Sequence, residues 1–262
     1  MAEPMSFSFT VPRAEGPLVE LSFDEAEKRL LRRLEDERDH PEESIWQLVL
    51  LYSQAGRQDV AETYLRRLID RGGADPETRG AQLLALGQLG EQRSDFEGAS
   101  SYYRLGLACE PEAPDTSFFL RNNLGYCLNV LGQHAEAEQL CRAAIRIQPN
   151  RPNGHKNLGI ALAAQGRVDD AARAFVDAVR ANAADPRALR HLEELLAKHP
   201  DIATRVPEVG ERLENCRKAV EVAAALQRAT APRVHRGAAK WWFLFVGDLR
   251  RLWSRWFGRK GT

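Results

Sequence analysis

Apolar residues recur every three or four positions through most of the chain, which is the pattern of amphipathic helices. Leu124, Leu128 and Leu131, for example, fall on one face of a helix. Alternating runs of Val, Ile and Thr, which are typical of strands, are nearly absent after residue 21. Ala, Leu, Arg and Glu are abundant, and all four favour helices. The pattern therefore predicts an all-α fold.

The chain contains an internal repeat. The sequences NLGYCL, beginning at Asn123, and NLGIAL, beginning at Asn157, stand 34 residues apart, and the register continues beyond them. Two earlier copies precede these at a spacing of 38 residues, with the added residues in the Pro- and Gly-rich segments 72–76 and 111–115. Insertions in such segments lengthen a loop and leave the flanking helices intact. The repeat predicts four helix–turn–helix units over residues 42–185.

Small residues recur where the two helices of each unit should cross. Gly125 and Ala137 hold such positions in the third unit, where a larger side chain would overpack the crossing. Pro111 and Pro149 follow the second helices of two units, and proline cannot continue a helix. We therefore expect closely packed helix pairs joined by short turns.

Residues 42–185 resemble four tetratricopeptide repeats, with Leu-Gly, an aromatic or Leu, a turn Gly, and then Ala, an aromatic, Ala and Pro at the family's positions. The third and fourth repeats fit best. The first repeat departs from the pattern with Val49 in place of a smaller residue, and the fourth has Ala183 in place of the final Pro. The resemblance implies a right-handed superhelical array of about four repeats.

The segments on either side of the repeats are predicted to cap the array, because its end units would otherwise expose apolar faces. Ser22 and Glu25 form a capping-box signature at the start of the first of them. The predicted organisation is a flexible N-terminal segment (1–21), an N-terminal capping helix (22–41), four repeats (42–185), C-terminal capping helices (186–228), a linker (229–239) and a basic, Trp-rich amphipathic helix (240–258).

The resemblance also implies a concave groove, lined by the first helix of each unit, that holds a peptide or protein segment. Aromatic, amide and apolar side chains with one Lys suit an extended peptide or a helix of mixed polarity. The expected groove residues are Trp46, Leu50, Gln88, Glu91, Asn122, Tyr126, Asn129, Asn153, Lys156 and Ile160. The family's clamp for C-terminal carboxylates is not expected, because Asn153 and Asn157 stand where it needs Lys and Arg.

The C-terminal segment predicts a helix with tryptophans on one face and basic residues on the other. Such a helix suits the headgroup region of an anionic bilayer. The residues expected at this contact are Lys240, Trp241, Trp242, Phe245, Leu249, Arg250, Arg251, Trp253, Arg255 and Trp256. Two alternatives remain: the apolar stripe docks on the protein's own helices, or it contacts a partner protein or nucleic acid.

Charge separates this tail from the rest of the chain. The formal net charge is zero, yet residues 233–262 hold eight Lys and Arg against one Asp, which leaves seven net negative charges on residues 1–232. No apolar run reaches the ~18 residues of a membrane span, and the N-terminus lacks the apolar core of a signal peptide. We therefore expect a cytoplasmic protein that contacts the inner face of a membrane peripherally.

No catalytic, phosphate-binding or metal-binding motif is recognisable. The four cysteines lack the spacing of metal ligands and are expected to be buried free thiols. The prediction is a non-enzymatic scaffold or adaptor without cofactor or metal that binds a protein or peptide, with nucleic acid not expected as a partner. Two alternatives are a secretion-type chaperone for an exported substrate and a regulatory subunit of an enzyme complex.

Overall fold

The structure, a computed structural model, describes residues 9–11, 19–36 and 41–230. The described residues fall into two compact units, of which the first ends at Asp75 and the second begins at Pro76. Helices make up nearly all of both units, which confirms the predicted all-α class.

The first unit begins with two short antiparallel strands, β1 (Phe9–Val11) and β2 (Val19–Leu21), with Phe9 opposite Leu21. The sequence predicts a flexible segment over 1–21, whereas the structure places this ribbon there. Strands of three residues are too short to produce the alternation that marks a strand in a sequence.

Three helices follow in the first unit: α1 (Phe23–Asp36), α2 (Glu42–Gln54) and α3 (Gln58–Asp70). The predicted capping box at the start of α1 is confirmed. The Ser22 amide donates to Glu25 Oε2 at 3.0 Å, and the Glu25 amide donates to Ser22 Oγ at 3.4 Å. Helix α2 packs against both α1 and α3. The Tyr52 hydroxyl donates to Glu27 Oε1 at 2.6 Å and so ties α2 to α1.

The second unit contains the three repeats with the clearest sequence signal and the helices after them. The repeats consist of α4 (Pro76–Gln92) with α5 (Phe96–Ala108), α6 (Pro114–Val130) with α7 (His134–Ile147), and α8 (Pro152–Ala164) with α9 (Val168–Ala181). The helices of each pair pack together, and each second helix also packs against the next helix in the chain. The first helices also contact one another, α4 with α6 and α6 with α8, which places α4, α6 and α8 side by side.

Glycine permits the close crossing within each pair. A Cβ atom at Gly87 would lie 2.2 Å from the Tyr103 ring, and one at Gly159 would lie 2.5 Å from the Phe175 ring. A Cβ atom at Gly125 would lie 2.8 Å from the sulfur of a cysteine on α7. These contacts confirm the expectation that a small residue is required at the crossing.

The turn between the helices of a repeat needs a residue in the left-handed conformation. Gly56, Gly132 and Gly166 fill this position with φ between 72° and 77°. Ser94 fills it in the second repeat with φ of 62°, although a side chain disfavours that conformation. The four residues share one position in the sequence repeat.

Three helices follow the last repeat: α10 (Arg187–Lys198), α11 (Ile202–Arg205) and α12 (Pro207–Thr230). They cover the end of α9 with an apolar cluster that includes Val179, Leu192 and Val209. The later part of α12 carries exposed apolar side chains, with Val222 58% and Leu226 60% exposed. In the part of the chain that the structure describes, no helix is both long and apolar enough to cross a membrane.

Candidate partner-binding face

The first helices of the second unit present side chains in rows that the repeat generates. Gln88, Tyr126 and Ile160 occupy the same position on α4, α6 and α8, and all three are half-buried. Asn153 lies on α8, three residues before Lys156, and is also half-buried. These side chains form a partly exposed surface of mixed polarity on adjacent helices, which we call the first-helix face.

Two of the expected groove residues are used inside the protein. Asn122 is 4% and Asn129 8% exposed. The Asn157 amide donates to Asn122 Oδ1 at 3.1 Å, and the Asn129 amide donates to the Asn157 carbonyl oxygen at 2.9 Å. Buried amides need such partners, so Asn122 and Asn129 join α6 to α8 instead of offering a free surface.

Glu91, near the end of α4, carries a mostly buried carboxylate. Its Oε1 accepts a hydrogen bond from the Tyr103 hydroxyl at 2.5 Å and one from the Cys127 thiol at 3.8 Å. Burial raises the pKa of Glu91 to about 7, while these hydrogen bonds and the charge of Lys156 act in the opposite direction. A fraction of this carboxyl is therefore protonated at neutral pH.

Lys156 lies on α8 at the repeat position that Asn122 holds on α6. Burial lowers the pKa of its ammonium group to about 8, and the nearby charge of Arg187 lowers it further. The charges of Asp185 and Glu91 oppose this shift. Burial and the charge of Glu91 raise the pKa of the Tyr126 hydroxyl on α6, while the charge of Arg187 lowers it. Helix α6 packs against both α4 and α8, and α10 packs against α8, so these four helices contribute side chains to neighbouring positions.

The remaining two expected groove residues belong to the first unit. Trp46 is 2% exposed, so its ring is part of the interior, because a large apolar side chain is most stable away from water. Leu50 is half-buried on the same helix, α2.

The expected membrane-contact residues, from Lys240 to Trp256, lie outside the described residues, as does the predicted linker beyond residue 230. They stay a prediction of the sequence.

Helix α10 supplies basic residues that the sequence analysis assigned to a cap. Arg187 and Arg190 follow Asn153 and Lys156 by 34 residues, and α10 packs against α8 and α9. Helix α10 thus takes the place of another first helix. The spacing could have shown this, but α10 lacks the Leu-Gly signature on which the repeat was recognised.

Thiols and acidic groups do not assemble into a metal centre in the described ranges. All four cysteines are free thiols, as expected; Cys127, Cys141 and Cys216 are buried and Cys109 is partly exposed. Burial raises the pKa of Cys141 to about 12, which keeps this thiol protonated.

Comparisons with known proteins agree with the repeat architecture. Residues 131–195 match a family model described as tetratricopeptide repeat. Tetratricopeptide repeat protein 8 of Caenorhabditis elegans is 26% identical over 151 residues, which is 57% of this chain and 28% of that protein. The chain therefore matches less than a third of the length of this relative.

Solved structures with the same fold include BtubC (BKLC) from P. vanneervenii, with a TM-score of 0.60 and 18% identity over 82% of this chain and 93% of that one. MamA from Desulfovibrio magneticus RS-1 has a TM-score of 0.54 and 16% identity over 73% of this chain and 97% of that one. At these identities, the likeness concerns the fold. The 34-residue repeat, the stacked helix pairs and the family match over residues 131–195 together show that the chain contains tetratricopeptide repeats.

Proposed function

We propose that this protein is a non-enzymatic scaffold that binds a segment of a partner protein on the first-helix face of its second unit. The observation that carries the proposal is the row of half-buried side chains on adjacent helices, Gln88, Tyr126 and Ile160. A partner can bury the rest of these side chains without unfolding anything, and apolar burial contributes about 25 cal/mol per Å². Tetratricopeptide folds in general serve protein–protein interaction, which agrees with this use of the face.

Tyr126 is the central residue for a test. Its ring lies edge-on to Phe96 at 6.0 Å between centroids, which holds it in place on α6. A fixed aromatic side chain loses little conformational freedom when a partner covers it, and such residues often dominate binding energy. Tyr126→Ala should therefore weaken partner binding strongly, by about 2 kcal/mol or more.

A displayed library of random peptides, selected on the immobilised full-length protein, supplies ligands for this test. We expect selected peptides, resynthesised with a fluorescent label, to bind the protein and to lose most of their affinity for the Tyr126→Ala variant. Gln139→Ala, at an exposed position on α7, is the matched control and should bind normally. A failure to select any peptide, or affinity that ignores Tyr126→Ala, would count against the proposal.

We also propose that the C-terminal helix predicted over 240–258 holds the protein at an anionic membrane surface. Four of the five tryptophans and five Lys and Arg lie in residues 240–259, and each basic residue near such a surface contributes about 1 kcal/mol. The full-length protein should sediment with vesicles that contain anionic lipid, and a chain lacking residues 238–262 should remain in solution. Equal binding of both forms, or of neither, would exclude this role for the tail.

A further inference from the structure

Lys156 stands out among the basic residues of the second unit because its side chain is half-buried and its ammonium group is unpaired. Among the described residues, the Lys156 Nζ atom forms no ion pair and donates no hydrogen bond. A half-buried charge without a partner loses part of its hydration and gains no ion pair in return, which destabilises the fold.

Two carboxylates that act electrostatically on Lys156 are engaged elsewhere. Asp185 accepts from Arg187 Nε at 2.9 Å and from Arg187 Nη2 at 2.5 Å. Glu91 contributes one oxygen to Tyr103 and Cys127 and is partly protonated at neutral pH. Neither of them therefore neutralises Lys156.

Helix α10 brings further basic residues close to Lys156. His191, on α10, is half-buried, and burial is the main cause that lowers its pKa. The positive charges of Lys156, Arg190 and Arg187 also lower this pKa, while the charge of Glu194 raises it. Arg190 is exposed and continues the row of Lys156 onto α10. Lys156 and Arg190 thus place two positive charges at the α8–α10 end of the first-helix face, although residues 1–232 as a whole carry a net negative charge.

We propose that Lys156 binds the side-chain carboxylate of an Asp or Glu in the partner segment, with Arg190 next along the same row. The inference rests on the proposed function and adds the chemistry of the ligand. A carboxylate in this position would supply the missing counterion, and a partner covering the site would exclude water and strengthen the ion pair. An acidic partner residue is also favoured by the positive charge of Arg190, which is exposed on the same row.

This role makes stability and binding respond in opposite directions. Lys156→Met removes a half-buried, unpaired charge and keeps much of the apolar volume, so the variant should melt at a higher temperature than the wild type while it binds more weakly. If Lys156 served only to stabilise the fold, Lys156→Met would instead lower the melting temperature. Lys156→Arg keeps the charge and should retain most of the affinity.

The test uses the peptides selected on the full-length protein, synthesised with amidated C-termini so that only side chains carry carboxylates. We expect an Asp or Glu at a recurring position in these peptides. Lys156→Met should lower the affinity about tenfold or more, since loss of one partner of a buried charge pair is costly. Arg146→Gln, at an exposed position on α7, should change it less than twofold.

Replacing the recurring acidic residue of the peptide with its amide should lower the affinity as much as Lys156→Met does. Combining both changes should lower the affinity little further, because both remove the same interaction. If peptides bind through Tyr126 but ignore Lys156→Met, the carboxylate site is wrong and the proposed function stands. If no peptide is selected, or binding ignores Tyr126→Ala, the proposed function fails and the carboxylate site fails with it.

Discussion

Ser94 holds a left-handed conformation, with φ of 62°, in the turn between α4 and α5. Glycine occupies the corresponding turns at Gly56, Gly132 and Gly166. The left-handed conformation destabilises a residue with a side chain by about 1–2 kcal/mol. Replacement by glycine removes this cost, but part of the gain is lost because glycine has more conformational freedom in the unfolded chain.

Ser94→Gly should therefore raise the free energy of unfolding by about 0.5–1 kcal/mol, measured by urea denaturation. Ser101→Gly, at an exposed position within α5, is the control and should lower it by a similar amount, because glycine disfavours helices. Destabilisation by Ser94→Gly would mean that the serine side chain makes a compensating contact.

Glu91 should make stability depend on pH. Its pKa is higher in the folded protein, about 7, than the ordinary value of 4.5. The folded state therefore binds more protons between these values, and the contribution of Glu91 to stability is lost as the pH rises from about 4.5 to about 7. A difference of this size corresponds to about 3 kcal/mol.

Glu91→Gln should remove this loss while its amide oxygen still accepts from Tyr103. Relative to the wild type, the variant should gain about 3 kcal/mol of stability between pH 4.5 and pH 7, measured by denaturation at a series of pH values. Glu112→Gln, at an exposed position before α6, is the control. A constant difference between Glu91→Gln and the wild type across this range would contradict the burial of an ionised carboxyl.

At the scale of elements, the helix pairs depend on the glycine at each crossing. Gly159 on α8 faces the Phe175 ring on α9, and an added Cβ atom would lie 2.5 Å from it. Gly210 on α12 is also helical, but there an added Cβ atom would lie 3.4 Å from the nearest atom, the Ala203 carbonyl oxygen, at the edge of ordinary contact.

Gly159→Ala should destabilise the protein by about 1–3 kcal/mol, because overpacking the crossing outweighs the better helix propensity of alanine. Gly210→Ala should instead raise stability by up to about 1 kcal/mol. Thermal denaturation of both variants measures this contrast. Equal effects would show that α8 and α9 do not approach as closely as the structure has them.

At the scale of the whole chain, much of the fold could be predicted from the sequence because short local motifs define the repeat. Leu-Gly pairs, turn glycines and prolines recur at fixed spacing, and each has a direct structural cause. The β1–β2 ribbon could not be predicted, since three-residue strands leave no periodic signal. Nor could the role of α10, which joins the array by packing and not by the signature residues.

The face was harder to predict than the fold, because a position on the inner side of a repeat does not reveal whether a side chain is free. Asn122 and Tyr126 belong to the same helix, yet Asn122 is buried in a hydrogen bond with Asn157, whereas Tyr126 is only half-buried. Lys156 stays unpaired because Arg187 holds Asp185, a contact between the last residue of the predicted repeats and the start of α10. Such pairings arise from three-dimensional packing and leave no mark on spacing.

The central claim is that a partner segment lies across the first helices of the second unit. Photo-crosslinking of a selected peptide, followed by mass spectrometry of the full-length protein, tests it most directly. The attachment sites should fall on α4, α6, α8 and α10, and Tyr126→Ala should abolish them. Attachment on α5, α7 and α9 instead would place the partner on the opposite helices and contradict the claim.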